Sequence, residues 1–129
     1  MDRKFFKTQA NFDGFSKMHT KMQDVAVFAI ETALELGVEL PMITETLTTK
    51  ELDKALGRVS QSHNQGRAID FRTWNLNLDQ LHKLVDALNN HFGSFGAINK
   101  LGQKQLVVYH DIGKGPHLHI QLNGSFKIA

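Results

Sequence analysis

Two short clusters of this sequence contain side chains that bind divalent metal ions. The first holds His63 and, seven positions later, Asp70, and the second holds His117 and His119. A catalytic zinc site usually takes three imidazole or carboxylate ligands from the protein and leaves a fourth position for water. Because His63, Asp70 and one histidine of the second cluster meet this requirement, the sequence predicts one metal site built from both clusters.

Either cluster alone is weak evidence for such a site. A His-x-His pair on a strand is more often two half-buried or exposed side chains, and one histidine before one aspartate means little. The two clusters together are more persuasive, because the chain has seven histidines and no cysteine. Without cysteine, disulfides, iron–sulfur clusters, thiolate zinc sites and cysteine nucleophiles are all excluded.

The charge balance and hydropathy bear on possible partners. The 129 residues include 15 Lys and Arg and 13 Asp and Glu, a net charge of +2. A dedicated nucleic-acid binder would concentrate its basic residues on one face or in runs, so we expect no nucleic-acid partner. No segment reaches the roughly 20 apolar residues of a membrane span, and the N-terminal apolar stretch is too short for a secretory signal. We expect cytoplasmic synthesis, no membrane partner and a monomer.

The elements that must position the two clusters follow from the spacing of apolar residues. Helical spacing predicts long helices over residues 17–36, ended by Gly37, and over residues 77–92, with Asn77 and Gln80 as a capping box and Gly93 at the end. Strands are predicted over residues 38–46, 68–71, 106–109 and 117–122, and a short helix from Thr48 or Thr49 through Leu56. This order predicts an α+β domain over residues 1–129, with a small, mainly antiparallel sheet, helices on one side and an N-terminal helical part over about residues 1–37.

The last predicted strand separates its histidines from the core. Period two puts the two histidines and Gln121 on one face and the Leu and Ile side chains on the other. In the first cluster, Gly66 allows a torsion or a close approach that larger residues resist, so a polar loop could fold back and bring His63 to Asp70. His110 and Asp111, just before the last strand, could reach the ligand imidazoles or serve only the turn.

The spacing His63-x-x-Gly66-x-Ala68-x-Asp70, followed about fifty residues later by His117-x-His119, resembles that of a family of zinc metallopeptidases. The family includes D-alanyl-D-alanine carboxypeptidases, L-alanyl-D-glutamate endolysins, murein endopeptidases with the lysostaphin type of site, and the sonic hedgehog signalling domain. The resemblance covers about the last ninety residues and rests mainly on the first motif. It implies a small antiparallel sheet packed by helices, in agreement with the predicted elements.

The resemblance also implies a role for each residue that matches the motif. His63 and Asp70 would be the first two zinc ligands and His119 the third, with one Zn²⁺ per chain. His117 would lie beside the metal as a catalytic residue, or alternatively would only hydrogen-bond the substrate or a ligand carboxylate. The expected substrate is a peptide of peptidoglycan.

Three departures from the family pattern bear on the reaction. Pro116 occupies the position of the glutamate that acts as general base in carboxypeptidase-type members, and Gln61 replaces a serine before the first ligand. An upstream arginine that helps to bind substrate is missing, and Arg58 or Arg67 could compensate. These departures favour an endopeptidase over a carboxypeptidase. The candidate substrate-binding residues are Arg58, Gln61, Ser62, Arg67 and Asp111.

The sequence therefore predicts a zinc-dependent peptidase that hydrolyses peptide bonds in peptidoglycan stem peptides or cross-links. Cytoplasmic synthesis without an export signal fits a phage or prophage endolysin or a virion-associated lysin, which would act in the periplasm or cell wall after release. Two alternatives stay open. One is a non-catalytic module of the same fold whose metal serves protein binding or virion structure, and the other is a cytosolic dipeptidase for dipeptides of D-amino acids.

Overall fold

Short helices and short strands alternate along the chain. The computed structural model describes residues 1–110 and 115–128, so the predicted substrate-binding residue Asp111 lies outside the described residues. The helices are α1 Gln9–Phe15, α2 Thr20–Glu35, α3 Lys50–Ala55 and α4 Leu78–Phe92, with 3-10 turns at Arg3–Phe5, Gly93–Phe95 and Gly124–Phe126. The strands are β1 Ile43–Glu45, β2 Ala68–Arg72, β3 Ala97–Ile98, β4 Lys104–Gln105, β5 Val107–His110 and β6 His117–Gln121.

Four of the strands form one antiparallel sheet in the order β1-β2-β6-β5. Strands β3 and β4 pair separately as a two-stranded ribbon. Because β2 and β6 are central neighbours, the strands that carry the two metal-binding clusters lie side by side. The predicted α+β class, with helices and a small antiparallel sheet, is confirmed.

The two long helices lie on one face of this sheet. Helix α2 contacts both α4 and β2, and α4 contacts β5. The side chains beneath them are fully buried, namely Ile69 and Phe71 of β2 and Leu118 and Ile120 of β6. The alternate residues of the same strands point to the opposite face, so the period-two separation predicted for the last strand is confirmed.

Both long helices are confirmed, with one shifted boundary. Helix α4 has the predicted capping box, in which Asn77 and Gln80 each accept the other's backbone N–H. Helix α2 begins at Thr20 rather than at residue 17, because the backbone N–H groups of residues 17 and 18 bond to carbonyls of α1 and close that earlier turn. Thr49 caps α3. Within the described residues, no helix is both long and apolar enough to cross a membrane.

The predicted strand over residues 38–46 is wrong outside Ile43–Glu45. The Val38 N–H bonds back to the Ala33 carbonyl and finishes the end of α2. Pro41 has no N–H to give to a strand partner. On the other side, the hydroxyl of Thr46 donates to the Asn11 carbonyl at 2.7 Å, which ties this segment to α1 instead of to β2.

Candidate metal centre

Asp70 and His119 meet because they face each other on neighbouring strands. They are register partners on β2 and β6, and both side chains lie on the face of the sheet opposite the long helices. Nδ1 of His119 is 2.9 Å from Oδ1 of Asp70, and each side chain is 12% exposed. The register of the sheet therefore brings the two clusters of the sequence together.

His63 reaches the same point from a tight turn. Backbone hydrogen bonds from Gln65 to Gln61 (2.9 Å) and from Gly66 to His63 (3.1 Å) close this turn. Gly66 has a φ of +69°, a left-handed conformation that favours glycine, as predicted. His63 is 6% exposed, and its Nε2 lies 3.3 Å from Oδ1 of Asp70.

The spacing of the three side chains suits a tetrahedral metal ion. One ligand atom from each of His63, Asp70 and His119 lies within 4.8 Å of the other two. Zinc bonds of about 2.0–2.1 Å place neighbouring tetrahedral ligands about 3.3 Å apart. The two separations from Asp70 are 3.3 Å and 2.9 Å, so this group could hold a metal ion with small side-chain shifts.

The outer nitrogens of the two rings determine which tautomer each histidine adopts. Nδ1 of His63 donates to the Thr46 carbonyl oxygen at 3.0 Å, and Nε2 of His119 donates to Oε1 of Gln121 at 2.7 Å. When both rings are neutral, as metal binding requires, the other nitrogen of each ring faces Asp70 with a lone pair. Two lone pairs directed at a carboxylate need a cation among them, so this donor set fits a divalent metal ion.

The electrostatics of the site favour a positive charge at the same point. Burial alone would raise the pKa of Asp70, but the hydrogen bonds and charges of His119 and His63 lower it well below its usual range. Burial opposes protonation of His63, but Asp70, Glu45 and the Thr46 carbonyl together raise its pKa. A proton on His63 therefore neutralises Asp70 when no metal is bound, and it competes with metal binding.

Two further imidazoles lie beside the three ligands. Nε2 of His117 is 3.9 Å from Oδ2 of Asp70, and Nδ1 of His117 donates to the Gly115 carbonyl at 3.3 Å, so that in the neutral ring Nε2 carries the lone pair. The His110 ring lies 5.5 Å from the His117 ring and stacks parallel to the His119 ring, also at 5.5 Å. Burial and these two imidazoles lower the pKa of His110, so the structure places a neutral histidine at the ligands.

An ion-pair network that the sequence analysis missed forms one wall of the site. Arg58 pairs with both carboxylate oxygens of Glu45 on β1, and with Asp53 on α3 at 3.1 Å. Asp53 is 3% exposed and accepts hydrogen bonds from Thr48 and Asn64, both at 2.9 Å. Because Asn64 directly follows the first ligand, this network holds the turn that presents it.

Two of the predicted substrate-binding residues lie in the cleft that contains the ligands. Ser62 is buried, and its Oγ is 3.5 Å from Nε2 of His119. Arg58 lines the same cleft, but Glu45 and Asp53 already neutralise its charge. Ser62 is therefore placed to contact the third ligand, whereas Arg58 supports the wall.

The other two described candidates are not brought to the ligands. Gln61 is exposed and lies outside the cleft. Arg67 donates to the Gln65 side chain and to the Leu122 carbonyl, both at 2.8 Å, and so anchors the loop to the last strand.

The cleft itself is large enough for a peptide segment. Its volume is about 780 Å³, and it is lined on one side by the polar face of the sheet. Three exposed apolar side chains also line it, Leu56 at 47% exposure, Trp74 at 64% and Val59 at 95%. The exposure of Trp74 places it outside the core.

Comparison with known proteins adds no family assignment. The chain matches no protein-family model, no curated protein and no solved structure. The function is therefore inferred from the geometry of the candidate metal centre and the pattern of its residues.

Proposed function

We propose that this chain is a zinc-dependent metallopeptidase that hydrolyses peptide bonds in peptidoglycan stem peptides or cross-links. The observation that carries the proposal is the convergence of His63 Nε2, Asp70 Oδ1 and His119 Nδ1 in an open cleft. Two neutral imidazoles and one carboxylate, with room for water, are the ligand set of catalytic zinc sites. The imidazoles beside the ligands add groups that can move protons.

The chain's own residues have distinct tasks in this reaction. A zinc ion held by the three ligands would supply Lewis acidity to the scissile carbonyl and lower the pKa of water from about 15.7 towards 7. His117, whose Nε2 lies near Asp70 and carries the lone pair in the neutral ring, accepts the proton of the attacking water and returns it to the leaving amine. His110 packs between the rings of His117 and His119 and positions both.

The residue pattern supports the substrate class. The motif from His63 to Asp70 and the His-x-His pair resemble those of peptidoglycan peptidases, and a small antiparallel sheet packed by helices is the fold that this resemblance implies. Pro116 lines the cleft where carboxypeptidase-type members have a glutamate. A base role for His117 therefore favours an endopeptidase, in the setting of a phage or prophage endolysin or a virion-associated lysin.

The test combines metal content with product analysis. The purified chain should contain one zinc per molecule by mass spectrometry, and digestion of purified peptidoglycan should release new peptide termini that identify the bond cut. His63→Ala and Asp70→Ala should lose zinc and muralytic activity together. Full activity in either variant would overturn the proposal.

A second pair of variants separates catalysis from metal binding. His117→Gln should keep zinc but lower kcat by about 10²–10⁴-fold, the usual contribution of a general base. His82→Gln, on the exposed face of α4, is the matched control and should change neither. If His117→Gln loses zinc as well, His117 is a fourth ligand, and a closed, non-catalytic metal module replaces the peptidase.

A further inference from the structure

One cationic side chain of the cleft has no part in the metal centre. Arg72 lies on β2 two residues after Asp70, and its register partner on β6 is His117. Since side chains alternate along a strand, Arg72 shares the polar face with both. Its Cζ lies 4.6 Å from the centre of the Trp74 ring, and both side chains line the cleft.

The arginines near the site differ in the groups that their guanidiniums contact. Glu45 and Asp53 neutralise Arg58, and a carbonyl and an amide oxygen hold Arg67. Across residues 1–110 and 115–128, no carboxylate lies within ion-pair distance of Arg72, and its guanidinium stacks on the ring of Trp74. Its guanidinium is therefore available to a ligand in the cleft.

We propose that Arg72 and Trp74 form a subsite that binds a free carboxylate of the substrate peptide. A guanidinium is planar and matches a carboxylate with two parallel hydrogen bonds. Stacking on Trp74 holds the guanidinium plane while its N–H edge stays open to a ligand. This subsite deepens the proposed function and rests on it for the identity of the peptide, but the carboxylate requirement comes from the cleft itself.

The remaining charges of the cleft support an anionic ligand. Glu45 is paired with Arg58, and Asp70 belongs to the metal centre. Lys7 and Arg72 are then the lining charges without a carboxylate partner among the described residues, which makes the cleft attractive to anions. Peptidoglycan stem peptides carry such carboxylates on their D-glutamate and on their C-terminal D-alanine.

The subsite is also linked to the catalytic histidine. A Cβ added to Gly115 would lie 3.9 Å from Cδ1 of Trp74, and the Gly115 carbonyl accepts the Nδ1 proton of His117. Positions 70 and 72 are about 6.6–6.8 Å apart along the strand. Arg72 therefore lies close to Asp70 on the same face of the sheet, and the bound carboxylate lies near the scissile bond.

The experiment compares peptides that differ only in one carboxylate. The probes are synthetic L-Ala-γ-D-Glu-L-Lys-D-Ala-D-Ala, in which the α-carboxyl of D-glutamate is free, a twin amidated on that α-carboxyl and a twin amidated at the C-terminus. Kd is measured by calorimetry on the full chain after metal removal, so that no hydrolysis interferes, and KM and kcat are measured on the zinc-loaded chain. We expect one amidated twin to bind about tenfold more weakly than the acid, the effect of one charge-assisted bidentate contact.

The variants assign that preference to Arg72. Arg72→Gln should bind acid and amide equally, and Arg72→Lys should keep part of the preference, because lysine keeps the charge but not the planar fork. Trp74→Leu should weaken the preference for the acid over the amide, with little change in kcat. Lys100→Gln removes one positive charge outside the cleft and should keep the full preference. Circular dichroism checks folding, and if Arg72→Gln is unfolded, Arg72→Lys and Trp74→Leu decide.

Each outcome separates the subsite from the peptidase. Wild type that does not distinguish acid from amides, or that binds none of the probes, overturns the subsite, as does a preference that survives Arg72→Gln. If the preference depends on Arg72 but the zinc-loaded chain cuts no peptide, the subsite stands and the proposed peptidase fails. If acid and amides are cut with equal KM, the peptidase stands and the subsite fails.

Discussion

The two faces of the central sheet are made of alternate residues of the same strands. Toward the long helices, Phe71 and Leu118 are 0% and 1% exposed and lie in the apolar core. Toward the cleft, Asp70 and His119 are polar, with Nδ1 of His119 2.9 Å from Oδ1 of Asp70 and Nε2 of His119 bonded to the amide oxygen of Gln121. Successive residues of either strand therefore face the apolar core and the cleft in turn.

This difference shows how a domain of this size can hold a precise ligand geometry. Apolar side chains on the helix face bury their surface and fix the register of β2 against β6. That register places Asp70 opposite His119, so the core positions the metal centre without contributing atoms to it. Substitutions on the two faces should consequently have separable effects on metal binding and on stability.

The largest effect is expected for His119→Ala. Loss of one of three ligands should reduce zinc affinity more than about 100-fold, beyond the 10–100-fold typical of groups that only support a ligand. The free energy of unfolding of the metal-free chain should change much less, because the ring lies on the cleft face. Zinc titration and urea unfolding of the same samples check both parts. Zinc affinity equal to that of wild type would remove His119 from the ligand set.

The neighbouring substitution Leu118→Ala should behave in the opposite way. Deletion of a buried leucine side chain destabilises by about 2–5 kcal/mol, through lost burial and the cavity that remains. Zinc stoichiometry should stay at one per chain below the melting temperature. Urea unfolding and metal analysis measure the two effects. A variant that loses zinc while still folded would show that the two faces are not separable.

The features of the fold that depend on local residue patterns can be predicted from the sequence. Alternation in residues 117–121 predicts which side chains face the core, and the Asn77 capping box predicts the start of α4, because both depend on residues a few positions apart. The strand over residues 38–46 fails for the converse reason. Its β-branched composition is typical of a strand, but the end of α2 and contacts with α1 draw these residues away from the sheet.

The metal centre is predictable to the same extent. The motif spacing of His63, Asp70 and His119 predicts a common site, and the structure brings the three side chains together. Glu45 on β1 and Asp53 on α3 carry no such signal, since their partners lie in loops that only the tertiary fold brings into contact with them. The role proposed for Arg72 is also not predictable from the sequence. It depends on contact with Trp74, and on the lack of a carboxylate partner among the described residues, which only the structure shows.

Asp53→Asn tests the ion-pair network that forms one wall of the site. Its effect on stability should be smaller than that of the core substitution Leu118→Ala. The substitution removes the charge that pairs with Arg58 and weakens acceptance from Thr48 and Asn64, so we expect a loss of about 1–3 kcal/mol. Zinc affinity should fall modestly, because Asn64 adjoins the first ligand. Asp86→Asn, at an exposed position of α4, is the matched control and should have no effect.

The pH dependence of that loss identifies its cause. Burial would raise the pKa of Asp53, but Asn64, Thr48 and Arg58 together lower it below its ordinary value. A group whose pKa is lowered on folding stabilises the fold above its unfolded pKa of about 3.9 and loses this contribution as the pH falls through its folded pKa. The difference in stability between wild type and Asp53→Asn should therefore be constant from pH 7 to 5 and shrink below about pH 4. A constant difference down to pH 2 would indicate a packing effect.

The smallest effect is expected for the difference between alanine substitutions at two glycines with similar backbone conformations. Gly57 and Gly66 have φ values of +71° and +69°, so alanine at either position should cost about 1–2 kcal/mol for the left-handed backbone alone. A Cβ at Gly57 meets nothing within 4 Å, whereas one at Gly66 meets the Ile128 side chain at 3.1 Å. Gly66→Ala should therefore lose more stability than Gly57→Ala, and it should also weaken zinc binding, because strain in the turn moves His63. Equal zinc affinity in the two variants would show that the ligand geometry does not depend on this turn.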